Sequence, residues 1–402
     1  MNDQNFNCKR TKIETILKTI QHSSFDELKE QYETVLKPIM NTRNDEPTPV
    51  GLVEEMLGFV PRELWSRHNL KILDMCCGLG NWDLVLWNIL QEKFQETVQM
   101  NELSPERLSI AKQILNTTNT TCQDALTLNV QYDMVVANPP YALLNASGQR
   151  ASKNHNLVNK FIEKALDLCK EGGYIVFVVP NSWCSPSKRN TLCRRLTSLQ
   201  FHILNLNECK KWFPKVASSF SYFVVENTPH YQMYLCVSLF KKQKTRDFIK
   251  SEARDCIPLH WNNRVKELLN KTIEKEGVEC FKIETSSNLH NYTQRHLLSD
   301  EKDDDHPFEV VHTFNKKRWA SRAHTFQVGW KVLINITGFF KIRITKDVGI
   351  TQSVAFIRCE SKDQAEQFKE QLEKPIYKEV NDLFRFGNFN NLRVLAKLPI
   401  SI

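Results

Sequence analysis

Between Lys71 and Pro180 the chain alternates short apolar runs with amphipathic stretches, and this alternation constrains the fold more than any other feature. Lys71–Met75 (KILDM), Thr97–Met100 and Tyr132–Ala137 read as strands, and Trp82–Leu90, Pro105–Leu115 and Asn156–Cys169 as the helices between them. Glu171-Gly172-Gly173 is a turn into a further strand, Tyr174–Pro180. Strands separated by helices pair in parallel, because each crossover carries the chain back across the sheet. The expectation is an α/β fold around a doubly wound, mostly parallel sheet. Tyr222–Glu226 and Tyr231–Leu239, joined by a turn around Thr228-Pro229, predict a closing antiparallel hairpin.

The flanks read differently. Ile13, Ile16, Leu17 and Ile20, then Leu28, Tyr32, Val35 and Leu36, have helical spacing, and Ser23-Ser24 divides them into two helices. Asn41–Pro49 is a loop. After Lys241 the pattern changes to a helix over Asn263–Lys275, an acidic surface loop over Asp300–Asp305, a strand-like basic stretch over Val311–Lys346 and a helix over Ser361–Leu372. The chain therefore divides into a helical extension (1–45), an α/β domain (46–240) and a C-terminal mixed α+β domain (241–402).

Twelve cysteines are scattered without a Cys-x-x-Cys pair or a zinc-ligand cluster, so no metal is expected and free thiols in a reducing, cytoplasmic setting are. The opening Met1–Lys12 has no apolar stretch, so neither a signal peptide nor a membrane partner is expected. A net charge of +8 is compatible with a polyanionic partner.

Chemistry concentrates at the carboxyl ends of the predicted strands, where open parallel sheets bind ligands. Leu73–Asn81 (LDMCCGLGN) closes the first strand, and its glycines let backbone approach a ligand. Glu102 closes the second, where an acid can hold both ribose hydroxyls. Asp124, before the third, can accept from an adenine amine. The series Gly78, Glu102, Asp124 predicts a nucleoside-bearing cofactor.

Asn138-Pro139-Pro140-Tyr141 follows the strand Tyr132–Ala137. The prolines fix φ and remove two donors, so the Pro139 carbonyl and the Asn138 side-chain oxygen can both face a pocket. Two acceptors on the hydrogens of a planar conjugated amine localise its lone pair, which can then attack an electrophilic methyl group. Tyr141 offers a face for a flat substrate.

These motifs resemble those of the gamma-class adenine-N6 DNA methyltransferases of restriction–modification systems, from about Pro47 onward. Thr48-Pro49 with Leu52, Val53 and Met56 is similar to the family's segment before the first strand, where the Thr contacts the cofactor. Asp74, Cys76, Gly78 and Gly80 fall on its first-strand loop, although Met75, Cys76, Cys77 and Leu79 replace the usual Pro, Ala and small residues. Glu102, Asp124 and Asn138–Tyr141 fall on its ribose, adenine-ring and catalytic positions. Phe161–Trp183 is similar to its following helix–turn–strand. Trp212–Glu226 resembles the segment whose aromatic residue contacts the flipped base, with Phe213 the first candidate and Phe220 the second. The resemblance implies a Rossmann-like methyltransferase sheet, S-adenosylmethionine as cofactor, double-stranded DNA as partner, a possible cognate restriction endonuclease, a monomer, and target recognition by residues 241–402.

Val311–Lys346 holds eight Lys or Arg, no Asp or Glu, and interleaved aromatics including Trp319, Trp330, Phe339 and Phe340. Lys316, Lys317, Arg318 and Arg322 are the candidate phosphate contacts. Lys210, Lys211 and Lys215 flank the aromatic loop near the Asn-Pro-Pro-Tyr segment. Related tetrads also serve RNA adenines and protein glutamines, and a non-catalytic DNA-binding relative would keep the same fold.

Overall fold

The computed structural model describes residues 23–36, 46–141, 157–186, 191–214 and 219–401. The predicted helix around Ile13–Ile20 and the residue Lys215 lie outside them. The chain forms two compact units, 1–257 and 258–402.

The first unit is built on a nine-stranded sheet. Its strands are β1 (Ile72–Asp74), β2 (Val98–Asn101), β3 (Thr120–Thr121), β4 (Tyr132–Ala137), β5 (Cys169–Pro180), β6 (Leu199–Leu206), β7 (Phe220–Pro229), β8 (Met233–Phe240) and β9 (Gln243–Lys250), in the order β3-β2-β1-β4-β5-β7-β6-β8-β9. The strands β3 to β5 on the left of this order are parallel throughout. This is the expected Rossmann-like methyltransferase sheet. Met134, Val135, Val136 and Ile175–Val179 are fully buried, as strands covered on both faces require. Each such aliphatic side chain contributes about 1.5–3 kcal/mol of burial.

The first helix of the unit, α1 (Phe25–Gln31), starts at a capping box between Ser24 and Glu27. Next come α2 (Val50–Leu57), α3 (Asn81–Leu90), α4 (Pro105–Leu115), α5 (Leu157–Leu168) and α6 (Leu192–Thr197). Ser104 caps α4 by accepting from the Arg107 N–H, and Pro105 occupies its first turn, where no donor is needed.

The predicted closing hairpin is not formed. β7 lies between β5 and β6 and is antiparallel to both, with Tyr174 opposite Glu226 and Pro180 opposite Phe220. β8 instead pairs in parallel with β6, and the hairpin that does form joins β8 to β9. β9 carries the first unit past residue 240. It is a polar edge strand, with Lys244, Arg246 and Asp247 on it, so no apolar run marks it.

The second unit has two four-stranded sheets. One orders β10 (Glu284–Thr285), β17 (Val354–Cys359), β14 (Trp330–Asn335) and β15 (Ile342–Lys346). The other orders β11 (Leu298–Ser299), β13 (Lys316–Ala320), β12 (Phe308–Thr313) and β16 (Gly349–Ile350). Leu333 and Phe356 of the first pack with Val311 and Ile350 of the second in one core. The unit's longer helices are α7 (Asn263–Lys271), α8 (Lys362–Glu373) and α9 (Pro375–Leu383), and a single-turn helix spans Leu392–Leu395. The α8 N-cap is Ser361. Asp300–Asp305 is exposed throughout. No helix among the described residues is long and apolar enough to cross a membrane.

Candidate active site

The loop after β1 is held from three sides. Cys77 N–H donates to the Asn101 carbonyl (2.9 Å), and Asn101 Nδ2 donates to the carbonyls of Met75 (3.1 Å) and Gln123 (3.2 Å). The Tyr32 hydroxyl, buried, donates to the Leu79 carbonyl (2.8 Å). Glu102 Oε2 accepts from Gly78 N–H (3.0 Å) while its Oε1 accepts from Ser104 N–H (2.9 Å). Gly78 (φ +58°) and Gly80 (φ +87°) both adopt left-handed backbone, but for different reasons. A Cβ on Gly80 would stand 2.9 Å from Leu115 Cδ1, so this glycine serves packing. A Cβ on Gly78 would meet nothing within 4 Å, so this backbone borders open space.

Asp74 and Asp83 are both fully buried beneath this loop. Asp74 Oδ1 accepts from Cys76 N–H (3.1 Å). Among the described residues Asp74 Oδ2 and both Asp83 oxygens have no donor, and the two carboxyls perturb each other's titration. Two buried neighbouring carboxyls disfavour double ionisation, so each strengthens the pair's hold on a proton. Burial pushes Asp74 well above the usual carboxylate range, and the neighbouring Asp83 adds to the rise. Burial raises Asp83 as well. The same acids, after burial, raise the Cys77 thiol.

Asn138 ends β4 beside this loop. Its Nδ2 donates to the Glu46 carbonyl (3.0 Å), and its Oδ1 accepts from the Tyr141 hydroxyl. Glu46, Pro47 and Thr48 thus bridge the two motifs, since Asn81 Nδ2 donates to the Thr48 carbonyl (2.9 Å). A cavity of about 50 Å³ lies between them, lined by Thr48, Cys76, Gly78, Trp82, Arg107 and Asn138 among others. Four predicted residues from three separate segments therefore meet at one cavity. Its size suits one end of a nucleoside-bearing molecule, not the whole.

The other predicted residues lie around it. Glu102 and Asp74 stand behind the loop as described. Asp124 is exposed and caps a short turn by accepting from Leu126 N–H (3.0 Å). Asn101 fastens the Asp124 loop to the β1 loop. Phe213 is 0% exposed and stacks on Phe220 at 5.1 Å, and Phe220 in turn meets Tyr141 at 5.5 Å. The two are core residues behind Tyr141, not open faces. Lys210 Nζ donates to the Phe213 carbonyl, and Lys211 pairs with Glu208 (2.9 Å).

In the second unit the four candidate phosphate contacts are engaged internally. Lys316 and Arg318 both pair with Asp300 (3.0 and 3.3 Å), and Lys317 pairs with Glu309 (2.7 Å). Arg318 is only 8% exposed, and Arg322 donates to the Asn288 carbonyl (2.9 Å). Lys331 is buried, with its ammonium donating to the carbonyls of Gln327, Val328 and Gly329.

Asn81, the last residue of the glycine-loop motif, belongs to this site, as do Asn101, Asp83, Arg107 and Tyr32, which the motifs did not mark. Asn101 had a signal in its place beside Glu102 at a strand end. Asp83, Arg107 and Tyr32 follow from tertiary packing alone.

The sheet order and the glycine loop define a Rossmann-like methyltransferase fold. Residues 50–212 match the family described as Eco57I restriction-modification methylase. A curated relative in Mycoplasma pneumoniae, described as an uncharacterized adenine-specific methylase, is 25% identical over 173 residues, 41% of this chain and 40% of the relative. The chain thus spans well under half of that relative's length. The cryo-EM structure of a DrdV–DNA complex is similar over 95% of this chain and 59% of that one, with a TM-score of 0.54 and 11% identity, a likeness of fold. The type IIL restriction-modification enzyme MmeI in complex with DNA aligns over 96% of this chain and 77% of that one, at a TM-score of 0.45 and 12% identity. The match over residues 50–212 agrees with the resemblance to restriction–modification methyltransferases drawn from the sequence.

Proposed function

We propose that this chain transfers a methyl group from S-adenosylmethionine to N6 of an adenine extruded from DNA. The observation that carries the reading is the cavity shared by Asn138, Thr48, Cys76 and Gly78. When bound, S-adenosylmethionine supplies a sulfonium-activated methyl group open to in-line attack. The residues fit it: Gly78 leaves open space for close backbone approach, Glu102 would hold the ribose, Asp124 the adenine ring, and Thr48 and Cys76 the methionine end.

The substrate amine would sit on the Asn138 side-chain oxygen and the Pro139 carbonyl. Each accepts one amine hydrogen, which draws the nitrogen lone pair out of the ring, and the methylated nitrogen then gives up one of those hydrogens as a proton to water. Pro139 and Pro140 hold those acceptors in place. A paired, stacked adenine cannot reach them, so the base leaves the helix at a cost of a few kcal/mol. Stacking on Tyr141 offsets about 1–3 kcal/mol of that. Burial of Phe213 and Phe220 gives them a different role from direct base contact: they back the Tyr141 ring. Residues 258–402 would recognise the DNA sequence.

The test is methylated-base mapping of DNA from cells expressing the protein. N6-methyladenine at one recurring sequence is the expected result. Unmodified DNA alongside methylated RNA adenine or protein glutamine would overturn it.

A further inference from the structure

Lys316 and Lys317 are exposed but paired with Asp300 and Glu309, so cations of the second unit without an ion-pair partner among the described residues are sought elsewhere. β14 and β15 are joined by a turn that Asn335 braces. Its Nδ2 donates to the carbonyls of Thr337 and Phe339 (both 2.6 Å), and its Oδ1 accepts from Lys341 N–H (2.7 Å). Asn390 Nδ2 ties the base of the turn by donating to the Asn335 carbonyl (2.8 Å), and Thr337 bridges to Phe389. On this braced turn Phe339 is 82% exposed. A fixed turn that presents a phenyl ring to water is the form of a wedge, because nothing in its own unit covers the ring.

The residues that follow Phe339 enter a groove of about 530 Å³, lined by Phe340, Lys341, Arg343, Lys369 and Lys378, with Glu373 the one carboxylate in its lining. Arg343 is spent on Phe314, lying 5.1 Å over its ring and donating to its carbonyl. Lys341, Lys369 and Lys378 have no ion-pair partner among the described residues. Three unpaired ammonium groups beside an exposed aromatic wedge complement a polyanion with stacked rings.

Building on the reading of DNA as substrate, we propose that the β14–β15 turn is a DNA contact in which Phe339 inserts at a base step and Lys341, Lys369 and Lys378 take phosphates. The wedge and the lysines have separable signatures. Inserting a ring is insensitive to salt, whereas each phosphate contact adds about 0.9 to the slope of log K against log salt.

Duplex binding is measured across a salt series for the full chain, for Phe339→Ala, for the triple change Lys341→Gln, Lys369→Gln, Lys378→Gln, and for Lys316→Gln with Lys317→Gln as a comparison. Phe339→Ala is expected to weaken binding at least about tenfold with an unchanged slope. The triple variant is expected to flatten the slope by about 2 to 3. The paired-lysine variant should keep the parent's slope. S-adenosylmethionine affinity, read by calorimetry, should be the same in all four, which shows that the first unit is intact. If the parent binds duplex and both turn variants match it, this inference is overturned and the DNA reading stands. If the parent binds only RNA, or no nucleic acid, both fall together.

Discussion

The Tyr141 hydroxyl donates to the side-chain oxygen of Asn138. The acceptor proposed for the substrate amine is therefore already engaged by the ring proposed to stack on that substrate. An incoming base exchanges one hydrogen bond for another at Asn138, while the ring keeps its place against Phe220.

Tyr141→Phe removes the occupying hydroxyl and keeps the stacking face. A neutral hydrogen bond is worth about 1 kcal/mol net, so steady-state transfer should change by no more than about fivefold. Tyr141→Ala removes the face, and KM for DNA should rise more than kcat falls. Steady-state kinetics on a duplex substrate separate the two. Equal loss in both variants would mean that the hydroxyl, not the ring, matters.

Glu102 ties the β1 loop to the end of β2, and the proposed cofactor site borders it. Its carboxylate accepts from Gly78 N–H and Ser104 N–H, leaving lone pairs for a ligand. Glu102→Gln keeps the shape but turns one acceptor into a donor facing an N–H, so it disturbs the loop as well as the ribose contact. Glu102→Ala should lower cofactor affinity by about tenfold or more, as loss of a charge-assisted hydrogen bond does. Calorimetry reads this directly, and parent-like affinity would remove Glu102 from the cofactor site.

The buried Asp74–Asp83 pair gives a pH signature. Burial holds Asp83 at about 7, far above an unfolded aspartate. A raised carboxyl binds its proton more tightly in the folded state, so its stabilisation is full below the unfolded pKa and is lost as pH rises to about 7. The loss is at most about 1.4 kcal/mol per pH unit for one proton. The groups facing the pair are Cys77 on the same loop, Glu102 at the end of β2 and Tyr32 after α1. Asp83→Asn supplies a permanent donor to Asp74 and should flatten stability between about pH 4 and 7. Denaturant melts across that range check it, and parallel curves for parent and variant would contradict a shared proton.

Tyr32, from the segment after α1, is buried in the α/β core and holds the β1 loop. Tyr32→Phe leaves the buried Leu79 carbonyl without its donor, a loss of about 1–3 kcal/mol in stability. Cofactor affinity should fall too, since Leu79 lies between the two glycines. Urea melts and calorimetry on one preparation measure both, and an unchanged protein would mean that water takes the hydroxyl's place.

Much of this was legible in the residues. Tyr132–Ala137 and Pro105–Leu115 fold over the spans read from their apolar pattern. The glycine loop and Asn138 share a cavity because both end parallel strands at the same edge. The insertion of β7 between β5 and β6 was not legible, since local pattern marks a strand but not its neighbours. β6 carries Gln200 and Asn205 buried among its apolar residues, which breaks the alternation that would announce it. Asp83 reads as an ordinary acid in the first turn of a helix, where the dipole favours it, and only packing shows it buried. Lys316, Lys317 and Arg318 read as a basic strip because Asp300 and Glu309, their partners, stand elsewhere in the sequence.

Transfer of a labelled methyl group from S-adenosylmethionine to duplex DNA, followed by nucleoside analysis, tests the central claim most directly. The parent chain should yield N6-methyladenine, and Asn138→Ala should lose about 100- to 1000-fold in kcat, the usual cost of one acceptor or donor aimed at the transition state. Cofactor and DNA affinity should stay near the parent's. Label in methylcytosine, in RNA or protein alone, or undiminished transfer by Asn138→Ala, would contradict it.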